Sequence, residues 1–106
     1  MAEPIPCPAY LVGHLRERWD SLAPQLQAMG AVDKLNAELL AKYILAENEY
    51  LRISDLVQQS ISRGDAEEAG KWLNAQDRLT RQILTLSDEL GLTPSGRRSR
   101  GIKAPR

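Results

Sequence analysis

The length and composition of the chain limit it to one small domain. With 106 residues, of which 42% are hydrophobic, it can build only a thin core, and the dominance of Leu and Ala favours helices over sheets. Its single cysteine, Cys7, excludes an internal disulfide and a cysteine-rich metal site, and no apolar run reaches the roughly 18 residues of a membrane span. The first residues lack the basic and apolar regions of a signal peptide, so we expect a cytoplasmic protein.

Charge is unevenly distributed along a chain whose formal net charge is zero. Residues 1–95 contain nine Lys or Arg and fourteen Asp or Glu, whereas residues 96–106 contain five basic residues and no acid. A basic tail on an acidic body indicates a polyanionic partner or an acidic surface within an assembly. From charge alone, a solvated end that only aids solubility explains it equally well. The basic residues of the tail are Arg97, Arg98, Arg100, Lys103 and Arg106.

The first predicted helix spans about residues 8–29. Pro8 suits the first helical position, and the apolar residues that follow recur every three or four positions in one stripe. Pro24 predicts a kink or a split near Leu22, because a proline inside a helix removes a hydrogen bond and crowds the preceding turn. Gly30 is the predicted end. The stripe consists of Leu11, Leu15, Trp19, Leu22, Leu26 and Met29.

The second predicted helix begins at Asp33, as its N-cap, and ends at Ser62. Its apolar residues alternate steps of four and three, which is typical of a seam facing another helix. Further apolar residues beside that seam make the apolar surface wider than one partner helix covers. The seam consists of Leu39, Tyr43, Ala46, Tyr50, Ile53 and Val57, and the flanking residues are Leu40, Ile44, Leu45, Leu51 and Leu56.

The third predicted helix spans residues 65–90. Asp65, followed three residues later by Glu68, resembles a capping box, and Gly91 before Thr93-Pro94 predicts the end. Only Ser62-Arg63-Gly64 connects helices two and three, so an all-α fold is predicted: a long antiparallel hairpin with helix one packed across its end. The seam of helix three consists of Trp72, Gln76, Leu79, Ile83, Leu86 and Leu90.

Patterns that carry catalytic chemistry are missing from the sequence. There is no GxxxxGK[ST] phosphate-binding loop, and a single histidine, His14, with a distant Cys7 makes neither a metal site nor a triad. The acidic pairs Glu67-Glu68 and Asp88-Glu89 fall at helix ends, where solvated faces explain them better than acid–base catalysis. We therefore expect a protein that is not an enzyme and needs no cofactor.

Three stretches of the sequence together resemble the small subunit of tailed-phage terminases. Residues 16–36, RERWDSLAPQLQAMGAVDKLN, match a pattern of Trp, Leu-x-Pro, Leu and Gly, then an Asp that opens the long helix. Residues 39–52, LLAKYILAENEYLR, carry tyrosines at the matching places, and residues 90–100, LGLTPSGRRSR, match the most distinctive piece. Many relatives have a longer loop between helices two and three, with a Gly and an Asn-Pro pair, so the roles of that loop do not carry over to this chain.

The resemblance implies a non-catalytic adaptor for packaging viral genomes in the host cytoplasm. Small terminases bind double-stranded viral DNA, assemble as rings and deliver the DNA to the large subunit, which holds the ATPase and the nuclease. The flanking residues of helix two would then form the subunit interface, and the five basic tail residues would bind DNA. The chain divides accordingly into an extension (1–7), a helical oligomerisation domain (8–92) and a basic flexible tail (93–106).

Two other functions remain open from the sequence. One is a helical protein–protein interaction module, in which the tail binds an acidic protein or nothing. The other is a small DNA-binding regulator of the helix-turn-helix type, against which the long hairpin offers no short recognition helix after a tight turn.

Overall fold

The structure, a computed structural model, describes residues 3–92, and these residues contain three helices and no strand. Helix α1 spans His14–Ala28, α2 spans Ala37–Ser62 and α3 spans Ala66–Glu89. Helices α2 and α3 pack together along the hairpin, and α1 packs on α2. The predicted all-α hairpin with an N-terminal helix is thus confirmed. None of the three helices is long and apolar enough to cross a membrane.

Helix α1 begins six residues later than predicted. Leu11 donates to the carbonyl of Pro8 in a turn (3.1 Å), and Gly13 has φ 57° and ψ −130°, a conformation outside any helix. The helix does not split at Pro24, which lies inside it. Pro24 and Asp20 are both exposed, so water can solvate the Asp20 carbonyl that the proline leaves without a helical donor.

Helix α2 begins at Ala37 with Asn36 as its N-cap, so the prediction that Asp33 caps it is wrong. The Asp33 carboxylate accepts instead from the backbone N–H groups of Leu35 (2.8 Å) and Asn36 (3.1 Å). In turn, Oδ1 of Asn36 accepts from the backbone N–H of Asp33 at 2.7 Å. These local bonds satisfy the backbone in a turn over residues 33–36 and compete with the first helical turn.

The three helices end in the same way, each with a glycine at positive φ. At the end of α3, Gly91 (φ 71°) donates to the Asp88 carbonyl at 3.1 Å and Leu92 donates to the Ser87 carbonyl at 2.8 Å. This pair of bonds is a Schellman motif, which supplies donors to carbonyls that the helix leaves unpaired. Gly30 and Gly64 form the corresponding bonds after α1 and α2.

Only one of the two hydrogen bonds of the predicted capping box forms at the start of α3. Asp65 is the N-cap, and its carboxylate accepts from the Glu68 N–H at 3.0 Å. The Glu68 carboxylate turns away and pairs with Arg63 at 2.6 Å, while the Asp65 N–H donates to the Ser60 carbonyl. The tight turn between the hairpin helices is therefore fixed by one side-chain cap, one surface ion pair and the two backbone bonds that end α2.

The core lies at the end of the hairpin where α1 crosses it. Trp19 and Leu26 from α1, Leu40 and Ile44 from α2, and Leu90 after α3 are almost completely buried together. The N-terminal segment adds Ile5 and Leu11, and the α1–α2 connection adds Ala31 and Val32. Each such aliphatic side chain stabilises the fold by about 1.5–3 kcal/mol relative to an exposed position.

Beyond α1 the hairpin has a much thinner core. Ile53 and Val57 of α2 and Ala69 of α3 are buried, but Leu79 and Trp72 of the α3 seam are only half-buried. A hydrogen bond from Gln76 Nε2 to Ser54 Oγ (2.5 Å) bridges the helices across this strip. Two helices side by side can exclude water only from the strip where they touch, so their flanks stay accessible.

We expect Leu79→Ala to destabilise the chain by about 1–3 kcal/mol, in the lower part of the ~2–5 kcal/mol range for fully buried leucines. Leu73→Ala makes the same truncation on the same helix at an exposed position and should cost less than about 0.5 kcal/mol. Urea unfolding at a fixed protein concentration measures both. Equal costs for the two variants would contradict the assignment of Leu79 to the hairpin seam.

Two glycines are expected to respond in opposite directions to alanine. Neither Gly64 nor Gly70 has an atom within 4 Å of a Cβ built on it, so packing does not decide the outcome. Gly64 has φ 73°, and alanine there should cost about 1–2 kcal/mol. Gly70 lies inside α3, where alanine should stabilise by up to about 1 kcal/mol. Thermal unfolding of the two variants gives the signs, and a stabilised Gly64→Ala would contradict the analysis.

Candidate subunit and nucleic-acid interfaces

Polar groups with catalytic potential are scattered over the described residues. No group of three or more His, Cys, Asp or Glu in residues 3–92 is placed to hold a metal ion. His14 Nε2 lies 2.8 Å from Asn48 Oδ1 in an exposed bridge between α1 and α2. Burial raises the pKa of the half-buried Cys7 thiol, which disfavours the reactive thiolate. These groups therefore do not form a common site.

An ion pair links α1 to α2 of the hairpin. Arg18 of α1 donates from Nε and Nη2 to the two carboxylate oxygens of Glu47 on α2, at 2.9 and 3.2 Å. The hydrogen bond to Glu47 raises the pKa of Arg18. Burial raises the pKa of the neighbouring Tyr43, and the Glu47 charge raises it further. This forked contact adds a polar link beside the apolar packing of Trp19 and Leu26 that places α1 on α2.

The five residues flanking the α2 seam fall into two groups. Leu40 and Ile44 are 0% and 1% exposed, because α1 and the N-terminal segment cover them within the same chain. Leu45 is exposed, Leu51 is 60% exposed and Leu56 is half-buried. Helix α1 therefore covers part of the excess apolar surface of α2. The part that remains accessible to another molecule consists of Leu45, Leu51 and Leu56.

An apolar groove runs between α2 and α3 near the middle of the hairpin. Tyr50 and Leu51 line one wall, Ile83 and Leu84 line the other, and Thr80 and Glu47 complete it. The groove has a volume of about 260 Å³ and is open to solvent. Leu51 and Leu84 are both about 60% exposed. Its walls are almost entirely apolar, so a molecule that covered the groove would remove this surface from water.

Sequence analysis missed three exposed leucines. Leu73 and Leu84 lie on α3 outside its seam, eleven residues apart and so on one face of the helix. Leu35 lies in the turn before α2 and is 96% exposed. Leu35 stands between two polar residues, whereas Leu73 and Leu84 directly follow Trp72 and Ile83 of the seam, and the seam analysis retained only residues at regular spacing.

The nucleic-acid residues predicted from the tail lie outside the described residues, so the structure shows nothing of their positions. On the described surface, Lys71 and Arg78 of α3 flank the half-buried Trp72. Asp65, Glu67 and Glu68 lie at the same depression, which is about 510 Å³. Acids thus offset the two basic residues there, and this surface is mixed in charge rather than basic.

The family model for "phage terminase, small subunit" matches residues 16–105, which include the whole hairpin, most of the tail and all but two residues of α1. Searches of curated proteins and of solved structures gave no match. The match confirms the resemblance found in the three stretches of the sequence, and it spans far more than half of the chain. This chain therefore belongs to the family of phage terminase small subunits.

Proposed function

We propose that this chain is a non-catalytic adaptor that binds viral DNA and delivers it to the large terminase subunit in the host cytoplasm. The family match is the observation that carries this proposal, because it includes both the helical domain and the basic tail. The absence of any recognisable catalytic pattern in the sequence agrees with this role. In this proposal the ATP hydrolysis and DNA cleavage of packaging belong to the large subunit.

The tail is the proposed DNA-binding element. Four arginines and one lysine follow residue 96 without an acid, whereas the rest of the chain is acidic and repels DNA. Arginine forks suit phosphate oxygens, and contacts to phosphates carry no base information. Leu92, the last described residue before the tail in the sequence, packs against the core at the α1 end.

The helical part, residues 8–92, is the proposed oligomerisation domain, and the proposed assembly is a ring. Leu45, Leu51 and Leu56 of α2 form the accessible part of the expected interface. Leu40 and Ile44 support it from inside the subunit, because they hold α1 in place. A hairpin with apolar flanks that it cannot cover alone gains stability by burying them against other copies.

Removing the tail after Ser95 should abolish most of the DNA affinity. Each phosphate neutralised steepens the dependence of log K on log salt by about 0.9, so five charges account for a slope of up to about 4–5 for each engaged tail. Gel-shift titrations of the full chain and the truncated chain over a range of salt concentrations measure this.

The matched control replaces the tail arginines Arg97, Arg98, Arg100 and Arg106 with lysine. This variant keeps the charge, so its salt slope should match that of the full chain. If truncation leaves the affinity and the slope unchanged, the tail does not bind DNA. The contact must then come from helix residues such as Lys71, Arg78 or Arg81.

Placing charge on the accessible flank of α2 should yield smaller soluble species. Leu45→Glu combined with Leu51→Glu puts two carboxylates into the proposed interface, where they would lose hydration without a partner. Sedimentation velocity gives the masses, and Gln58→Glu, which adds a carboxylate at an exposed polar position of α2, is the control. The fully buried Leu40 and Ile44 are unsuitable for this test, because charge there would unfold the subunit. A wild-type chain that is monomeric at high concentration would refute the ring.

A further inference from the structure

We infer that residues 3–7 form a lid over the outer flank of α1, and that this lid opens without unfolding the helices. The family match begins at residue 16, so membership of the family assigns no role to this segment. The lid is therefore a feature separate from DNA binding and from the proposed ring.

Helix α1 needs a cover on the flank that α2 does not reach. Within the described residues, its backbone comes close to α2 but not to α3. Trp19 and Leu26 are nevertheless 2% exposed and Ala23 is 4% exposed. The N-terminal segment supplies the missing cover, because Ile5 is 7% exposed and belongs to the same core cluster as these three residues.

The free end of the lid is fastened by local polar contacts. Gln27 of α1 donates from Nε2 to the Glu3 carbonyl at 2.7 Å. The Glu3 carboxylate also lies 4.0 Å from Lys34 Nζ, which is the limit of an ion pair. Pro4 and Pro6 have no N–H to donate, so the backbone of the lid has few further hydrogen bonds to offer. Opening this end therefore breaks few polar contacts.

The other end of the lid is a turn that stays attached to the core. Leu11 is 0% exposed, and its N–H donates to the Pro8 carbonyl at 3.1 Å. Gly13 then leads the chain into α1 with φ 57° and ψ −130°, a conformation that favours glycine. Residues 3–7 can swing about this turn while Leu11 remains buried. Opening then removes Ile5 and the half-buried Cys7 from the core and leaves the helices in place.

The contact between the lid and α1 is incompletely filled. A cavity of about 420 Å³, open to solvent, is lined by Pro4 and Ile5 of the lid and by Trp19, Ala23 and Pro24 of α1. Well-packed protein interiors have few voids larger than a water molecule. Atoms that line a gap lose the dispersion contacts that a filled contact would give them, so the closed position is held less firmly than the core beneath it.

Opening of the lid exposes an apolar strip on α1. Trp19 and Ala23 line the cavity beneath the lid, while the side of α1 that packs on α2 stays covered. The position of the lid thus sets how much apolar surface this end of the subunit presents to water.

The single cysteine of the chain reports the position of the lid. Cys7 is half-buried, and burial raises the pKa of its thiol, so it should react slowly with iodoacetamide while the lid is closed. Gln27→Ala removes the donor that holds the free end. This variant should raise the labelling rate of Cys7 by about 2- to 10-fold, the factor that corresponds to one hydrogen bond. Mass spectrometry of the full chain measures the rate.

Trp19 fluorescence tests whether the opened lid uncovers α1. Trp72→Phe leaves Trp19 as the only tryptophan of the chain. In that background Gln27→Ala should increase the quenching of Trp19 by acrylamide, while the helical circular dichroism signal stays unchanged. Ile5→Ala removes the apolar contact of the lid and should change both reporters in the same direction.

Gln25→Ala is the matched control, because Gln25 donates to the Ser21 carbonyl within α1 and does not contact the lid. It should change neither reporter. If Gln27→Ala changes neither reporter, or if Cys7 becomes reactive while Trp19 stays shielded, residues 3–7 are not a lid over α1. A loss of helical signal that accompanies both changes also overturns the inference, because the segment then belongs to one cooperative core. Labelling of wild-type Cys7 at the rate of the urea-unfolded chain would show that the closed position does not exist.

Discussion

The structure depends on how little apolar surface two packed helices can remove from water. Helices α2 and α3 exclude water only where they touch, and at the α1 end a third helix completes the enclosure around Leu40 and Ile44. Further along, Leu79 stays half-buried and Leu51 and Leu84 are mainly exposed. Stability within the subunit therefore comes chiefly from one end, while the rest of the hairpin carries apolar surface that a monomer cannot cover.

The ion pair between Arg18 and Glu47 links these two regions. It joins α1 to α2, and Glu47 also lines the apolar groove. An exposed ion pair contributes little free energy, about 0–1 kcal/mol, so the burial of Trp19 and Leu26 is what holds α1 on the hairpin. That packing decides which leucines of α2 are buried and which remain accessible.

Sequence analysis predicted the features that repeat or that depend on one residue type. The Asp65 cap and the ending at Gly91 are local, and the structure confirms them, together with the packing of α2 against α3 that the two seams predicted. The starts of α1 and α2 were predicted too early, because Gly13 and the Asp33–Asn36 turn have backbone arrangements that apolar spacing does not record. Which flank of α2 is covered depends on the placement of α1. Periodicity within α2 contains no information about that tertiary contact.

Leu92 packs against the core cluster at the α1 end, and the basic residues of the tail follow it in the sequence. In a symmetric assembly Leu92 of every subunit occupies an equivalent place, and this joins the proposed oligomer to the proposed DNA-binding tail. If the tails bind DNA as proposed, binding of one tail raises the effective concentration of phosphates near the others, so that several weak contacts together give strong binding. The acidic bodies oppose DNA elsewhere on the surface, and the combined tails would thus set both the affinity and its salt dependence.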